Sequence, residues 1–198
     1  MTDRQNEIET SKGLSRAVFK KFVRPVLERH FKTKNIFSME NCRNLLEHCL
    51  DRLFGIDTLV ATSTATFGVG NRIQWGKNYR ATSIRFERKT GKDTEFQKDC
   101  EVLAGKVKHP MADFKLHGFA VEDDSQADIA IAPTAEIYAT IKRNPNRWHE
   151  TKSGEKFFYV PWREIKGVAV YRVNTLRDGA QRVTDVTGEY KRSAQNEI

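Results

Sequence analysis

The apolar residues in the first part of the chain recur at the spacing of one helix face. From residue 13 to 34 they predict a helix, which Pro25 is expected to kink or divide. A second helix is predicted to begin after Ser38, which serves as its N-cap, and to end at Gly55. Its buried stripe consists of Leu45, Leu46, Cys49, Leu50 and Leu53.

Segments of β character follow, and glycines separate the first of them. The predicted strands cover residues 58–65, 71–75, 80–87, 114–121, 127–132, 156–160 and 167–173. Two further helices are predicted at 94–103 and 135–141. This mixture of strands and helices predicts an α/β (α+β) fold in which helices flank a central mixed sheet.

Length and composition suggest one folded domain with extensions. A chain of 198 residues is expected to form a single hydrophobic core. Residues 1–37 are interpreted as a basic N-terminal helical arm and residues 38–174 as the α/β domain. Residues 175–198 are polar, and we expect them to form a flexible tail.

Positive charge is concentrated in the first helix. The chain contains 34 Lys and Arg against 26 Asp and Glu, a net charge of +8, which favours an anionic partner such as nucleic acid. The helix residues expected to contact phosphates, with counterion release as the driving force, include Arg16, Lys20, Lys21 and Arg24. A solvated helix face or a dimerisation element explains the same charges equally well.

Other sequence features exclude several classes of protein. Three cysteines without a CxxC pair argue against a disulfide framework, and the scattered histidines argue against zinc. The chain contains no GxxxxGK[ST] phosphate loop. It also has no apolar run of the roughly 18 residues that would span a membrane. We therefore expect a cytoplasmic, intracellular protein without a membrane partner.

An acidic residue and two polar motifs follow the second helix. The residue is Asp57, and the motifs are Gln74-Trp75-Gly76-Lys77 and Glu87-Arg88-Lys89. With Glu47 on the preceding helix, this order of helix, three strands, helix and strand resembles the αβββαβ core of the PD-(D/E)xK nuclease superfamily, the restriction-endonuclease-like fold. The resemblance covers about residues 39–121. It implies a site in which Glu47, Asp57 and a later (Asp, Glu or Gln)-x-Lys pair bind divalent ions.

Two alternatives remain for that later pair. Gln74 and Lys77 are one residue too far apart, so a bulge at Gly76 would be needed to bring both side chains to one face. Glu87 and Lys89 have the expected spacing, but a whole hairpin separates them from Asp57.

The resemblance implies a Mg²⁺-dependent nuclease that hydrolyses DNA, with Mn²⁺ as an alternative metal. The oxygens of Asp57 and Glu87 are suitable ligands, and Lys77 or Lys89 would act on the water or the phosphate. Lys98, on the following helix, is a further candidate phosphate contact, and the protein is a possible homodimer. The alternative from another class is an inactive nuclease fold that only binds nucleic acid or a protein partner.

Overall fold

The computed structural model describes residues 16–39, 55–108 and 110–192. Its strands are β1 (Ile36–Ser38), β2 (Thr58–Ala61), β3 (Thr66–Trp75), β4 (Ala81–Glu87), β5 (Phe114–Ala120), β6 (Gln126–Pro133), β7 (Trp148–Glu150), β8 (Lys156–Pro161), β9 (Ala169–Thr175) and β10 (Gln181–Asp185). Its α-helices are α1 (Arg24–Phe31), α2 (Glu95–Leu103), α3 (Thr134–Arg143) and α4 (Thr187–Arg192). Within these ranges, every helix is too short or too polar to cross a membrane.

Two sheets organise the described strands. The larger sheet has seven strands in the order β1-β2-β3-β5-β6-β9-β10, and the smaller has three in the order β4-β8-β7. Strands β3 and β5 run parallel, whereas the other described neighbours run antiparallel. The chain passes from β3 to β5 through β4 and α2. The predicted α/β class with a mixed sheet is confirmed, and each predicted strand has a counterpart.

The two faces of the large sheet carry separate cores. On one face the N-terminal helix covers residues such as Val69, Leu116 and Ile129. On the other face α3, α4 and the small sheet cover residues such as Ala130 and Val170. Because side chains alternate along a strand, each central strand contributes to both cores.

The N-terminal helix contains a π-helical turn that accommodates Pro25. The turn spans Phe19–Val23, and its last bond runs from the Arg24 N–H to the Phe19 carbonyl five residues earlier. Helix α1 then starts with Pro25 in its first turn. Proline has no N–H to donate and its ring collides with a regular helix backbone, so a widened turn before it relieves the conflict.

The described part of the expected basic arm belongs to the core. Phe22, Val26 and Leu27 are fully buried in the core against the large sheet. The described part of the expected tail is also structured: β10 pairs with β9, and Val186 and Tyr190 are buried. Sequence patterning missed this segment because an edge strand is held chiefly by backbone pairing and needs few apolar residues. The predicted helix between Ser38 and Gly55, with Glu47, lies outside the described residues.

The burial of Phe22 gives a direct test of the helix's structural role. We expect Phe22→Ala to lower the free energy of unfolding by about 3–5 kcal/mol, the usual result of emptying a phenylalanine site in a core. Urea denaturation followed by circular dichroism measures this value. The exposed neighbour Lys20→Ala is the control and should change stability by less than about 0.5 kcal/mol. Equal, small effects of both substitutions would show that the helix is a detachable arm.

Candidate active site

An open cavity of about 400 Å³ lies between the large sheet, strand β4 and the start of α2. Its lining is unusually rich in charge. The acidic lining residues are Asp57, Asp93 and Glu95. The basic lining residues are Arg72, Arg85, Arg88, Lys98 and Lys115. A concave site with both signs of charge is suited to a ligand that combines an anion with a cation.

The parallel pairing of β3 and β5 sets the floor of this cavity. Their register places Gly70 beside Lys115 and Arg72 beside His117. Val69, which precedes Gly70, and Leu116, which lies between Lys115 and His117, belong to the core on the opposite face. Because side chains alternate along a strand, these apolar residues face the core below the sheet, and Lys115, Arg72 and His117 face the cavity above it.

Lys115 is the central group of the site. Its side chain is only 10% exposed, and its ammonium forms an ion pair with the Glu95 carboxylate. The Nζ atom also lies 3.6 Å from Oδ2 of Asp99. Burial lowers the pKa of Lys115 to about 8, while the charge of Asp57 acts in the opposite direction. A buried ammonium requires such carboxylates, because an unpaired charge is strongly disfavoured away from water.

Helix α2 delivers the two partners of Lys115. Thr94 caps the helix: its side chain accepts a hydrogen bond from the Gln97 N–H, and the Gln97 side chain accepts one from the Thr94 N–H. Glu95 and Asp99 are four residues apart and so share one face. Asp99 is buried, and the Tyr138 hydroxyl donates to its Oδ2 over 2.7 Å. Burial, followed by the nearby Asp99 charge, raises the pKa of Tyr138, which therefore remains a donor.

Two glycines create the space in which these charges meet. Gly55 has a positive φ of 61°, and a Cβ there would collide with the carboxylate of Glu95. A Cβ on Gly70 would lie 2.8 Å from the Gly55 carbonyl oxygen and 3.3 Å from Cδ of Lys115. Any larger residue at these positions would push apart the groups that form the site.

Asp57 is held at the edge of the cavity by backbone groups. The N–H of Asn71 donates to its Oδ2 atom, and its own N–H donates to the Val69 carbonyl over 3.1 Å. The Met39 N–H donates to the Asp57 carbonyl over 2.7 Å. These contacts fix the position of the residue that sequence analysis selected as the first metal ligand.

Three guanidinium groups also line the cavity, those of Arg72 on β3, Arg85 on β4 and Arg88 just after β4. Arg85 pairs with Glu155 over 2.8 Å, and the Arg72 and Arg85 guanidiniums both lie over the Phe157 ring. Partial desolvation and the positive charge of Arg85 lower the pKa of Arg72, against the effect of Glu155. Nε of Arg88 is buried and has no hydrogen-bond partner among the described residues. A bound anion would stabilise these neighbouring cations and would accept a hydrogen bond from the unpaired donor.

His117 is a buried, neutral group in the floor of the cavity. The Ser83 N–H donates to its Nδ1 atom over 3.3 Å, so Nε2 carries the ring proton. Nε2 then donates to Oε1 of Gln74 over 3.1 Å. Burial, followed by the charge of Arg72, lowers the pKa of His117 to about 3.

The residues selected from the sequence are distributed unevenly. Asp57 and Lys98 line the cavity, whereas Gln74 lines an adjacent one. The Lys77 ammonium lies over the Tyr79 ring beyond the end of β3. Glu87 pairs with Lys156 at the surface over 2.9 Å. The Lys89 side chain lies near Gly154. Neither Glu87 nor Lys89 lines the cavity, whereas Arg88 between them does.

The basic helix lies on the other face of the large sheet from this cavity. Its buried side chains join the core that contains Leu116, while Lys115 and His117 point the opposite way. Among its charged residues, Lys21 pairs with Asp124 over 3.7 Å and Arg24 with Glu28 over 2.9 Å. Arg16 and Lys20 are exposed. Phosphate contacts by this helix, if they occur, belong to a separate surface.

Glu95 and Lys115 were not among the residues selected from the sequence, and only Lys115 leaves a signal. It is a charged residue within the mostly apolar, buried strand Phe114–Ala120, which is unusual. It also completes an Asp-x-Lys spacing with Asp113, whose Oδ2 accepts the Gly68 N–H over 2.7 Å. Glu95 follows a capping residue and resembled an ordinary first-turn acid.

Comparison with known proteins provides no relative. No family model matches the chain, and neither the curated proteins nor the solved structures contain a match. Within the described ranges, no group of three or more His, Cys, Asp or Glu side chains is arranged to hold a metal ion. The chemistry of the cavity itself is therefore the basis for a candidate function.

The lowered pKa of His117 predicts how stability depends on pH. Unfolding returns the imidazole to its ordinary pKa of about 6.5, so between pH 6.5 and about 3 the unfolded state binds the additional proton. This group should therefore lower the free energy of unfolding by up to about 1.4 kcal/mol per pH unit as the pH falls below 6.5. Urea denaturation between pH 7 and pH 4 measures the slope.

The variant His117→Gln should show a shallower slope than the wild type. His149→Gln replaces an exposed histidine and should retain the wild-type slope. Parallel wild-type and His117→Gln curves would contradict the burial of a neutral imidazole.

Proposed function

We propose that the protein is a Mg²⁺-dependent nuclease that hydrolyses phosphodiester bonds in DNA, with Mn²⁺ as an alternative ion. The observation that supports this proposal is that Asp57, Glu95 and the buried Lys115 lie in one cavity that guanidinium groups also line. Carboxylate oxygens suit a hard divalent cation, while guanidinium groups suit a phosphate. A phosphodiester bound together with a metal ion would present a cation to the carboxylates and an anion to the guanidinium groups.

The donor set of the cavity fits Mg²⁺. Asp57 and Glu95 would hold the ion, because magnesium is commonly bound through one or two carboxylates and keeps several waters. The glycine at position 55 lets the Glu95 carboxylate lie in the site, because a Cβ there would collide with it. When bound, the ion lowers the pKa of a coordinated water and polarises a phosphoryl oxygen.

The chain's own cations supply binding and charge stabilisation. Arg72, Arg85 and Arg88 would hold the phosphate oxygens, and the unpaired Nε of Arg88 would gain an acceptor. Lys115 Nζ would orient the attacking water and offset the negative charge that develops on the phosphate. Burial lowers the pKa of Lys115 to about 8, which makes its neutral form more accessible than that of an exposed lysine.

This proposal changes part of the residue assignment that the family resemblance implied. Asp57 keeps its role as a ligand and Lys98 its role as a phosphate contact. Glu95 replaces Gln74 or Glu87 as the second oxygen donor, and Lys115 replaces Lys77 or Lys89 as the lysine. The nuclease chemistry therefore remains the same, but the side chains come from the crossover helix and from β5.

Binding without catalysis is the second candidate function. The ion pair between Lys115 and Glu95 favours it, since the lysine already neutralises one of the two carboxylates proposed as ligands. In this case the cavity would bind a phosphate through its cations alone. Its affinity would depend on salt concentration but not on a chelator.

A cleavage assay tests the nuclease proposal. We expect the wild type to nick plasmid DNA and to degrade single-stranded DNA with Mg²⁺ or Mn²⁺, but not with EDTA. Asp57→Asn, Glu95→Gln and Lys115→Met should each lower the rate by about 100-fold or more, as does the loss of a group that stabilises the transition state. Glu87→Gln, which removes a surface carboxylate of similar reach, is the control and should cleave like the wild type.

The possible outcomes separate the two functions. Thermal unfolding of each variant identifies losses of activity that result from misfolding. DNA binding by the wild type without cleavage in either metal would reject the nuclease and favour the binding module. Cleavage that survives in folded Lys115→Met and Glu95→Gln but is lost in Glu87→Gln would move the active site to the small sheet.

A further inference from the structure

A second cavity of about 420 Å³ lies next to the candidate active site. The two cavities share the lining residues Arg72 and Ser83. Unlike the first, the second has a largely aromatic wall. Its aromatic lining residues are Tyr79, Phe119, His149, Phe157 and Tyr159. A ligand that occupies both cavities would therefore combine a charged part with a flat apolar part.

Tyr79 is the accessible ring of this aromatic wall. The residue is 56% exposed, and its ring meets Phe119 edge to face at 5.9 Å. The Tyr159 hydroxyl donates to the Tyr79 carbonyl over 2.7 Å, which anchors the loop that carries the ring. By contrast, the Phe157 ring is covered by Arg72, Arg85 and His149. A stacking ligand would thus contact Tyr79 first, next to the Lys77 ammonium that lies over the same ring.

A chain of hydrogen bonds orients one donor toward the second cavity. The Ser83 N–H donates to His117, whose Nε2 proton is in turn donated to Oε1 of Gln74. The direction of each bond is set by the one before it, because a backbone N–H only donates. Nε2 of Gln74 therefore faces away from His117 and makes no hydrogen bond within the described residues. It is available to a ligand acceptor.

We propose that this cavity binds a single unstacked nucleobase next to the phosphate that is cleaved. The base would stack on Tyr79 and accept a hydrogen bond from Gln74, while Arg72 spans the two cavities. A base inside a duplex is covered by its neighbours, so this site selects single-stranded or unpaired nucleic acid. The inference rests on the proposed function and specifies its substrate class.

Fluorescence anisotropy in EDTA tests the base site without cleavage. The probes are a labelled oligothymidylate of about 12 nucleotides, an abasic strand of the same length and charge, and a duplex of the same length. The wild type should bind the oligothymidylate about 5- to 150-fold more tightly than the abasic strand, the range that stacking of one base produces. It should also prefer the oligothymidylate to the duplex.

Substitutions on the aromatic and polar walls identify the contacts. Tyr79→Ala should bring the affinities for the oligothymidylate and abasic strands together, and Tyr79→Phe should keep them apart. Gln74→Glu retains an acceptor for His117 but replaces the outward donor by an oxygen, so it should also weaken binding to the base. Phe37→Ala is the matched control, because Phe37 is 55% exposed on β1 and lines neither cavity.

Each result distinguishes this inference from the proposed function. Equal binding of oligothymidylate and abasic strands by the wild type would overturn the base site while leaving a phosphate-binding nuclease intact. Duplex binding as tight as single-strand binding, unchanged in Tyr79→Ala, would also overturn it. Failure to bind any of the three probes would overturn the base site, and the absence of cleavage in Mg²⁺ or Mn²⁺ as well would overturn both proposals. Loss of base preference in Phe37→Ala as well would reject Tyr79 as the specific contact.

Discussion

The burial of the Lys115 ammonium is the constraint on which the site depends. An ammonium in the floor of a sheet is stable only if carboxylates replace the water it has lost. Glu95 and Asp99 supply them from α2, and Tyr138 holds Asp99 in place. The position of α2 against the sheet is therefore coupled to the charge of a single lysine. The crossover between β3 and β5 serves both as a structural connection and as the source of acidic groups.

The large sheet separates packing from chemistry. One face is covered by the N-terminal helix, and Val69, Ile73 and Leu116 pack into the core there. The other face carries the charged half of the same strands beneath the small sheet. This division explains why the most basic segment of the chain lies away from the cavity. A long anionic ligand would have to pass the sheet edge to contact both surfaces.

The two cavities form one continuous surface of graded polarity. Carboxylates, Lys115 and arginines line the first cavity, Arg72 lines both cavities, and aromatic rings line the second. A nucleotide has the same sequence of chemical groups, from phosphate with its cation to base. Gln74 lines the second cavity and accepts a hydrogen bond from His117, which lines the first. The neutral state of His117 maintains this direction, because a protonated ring would no longer accept from Ser83.

The local patterns of the sequence determined the elements and one site residue. Periodicity identified seven of the strands, Thr94 marked the start of α2, and Asp57, which was selected from the sequence, lines the cavity. What only the tertiary structure decided is which charges meet. Lys115 is separated from Asp57 by about sixty positions of sequence. Their proximity depends on the parallel pairing of β3 with β5 and on the space left by glycines, neither of which has a local signal. A charge's function follows from its burial and its partners, and both are properties of the packed chain.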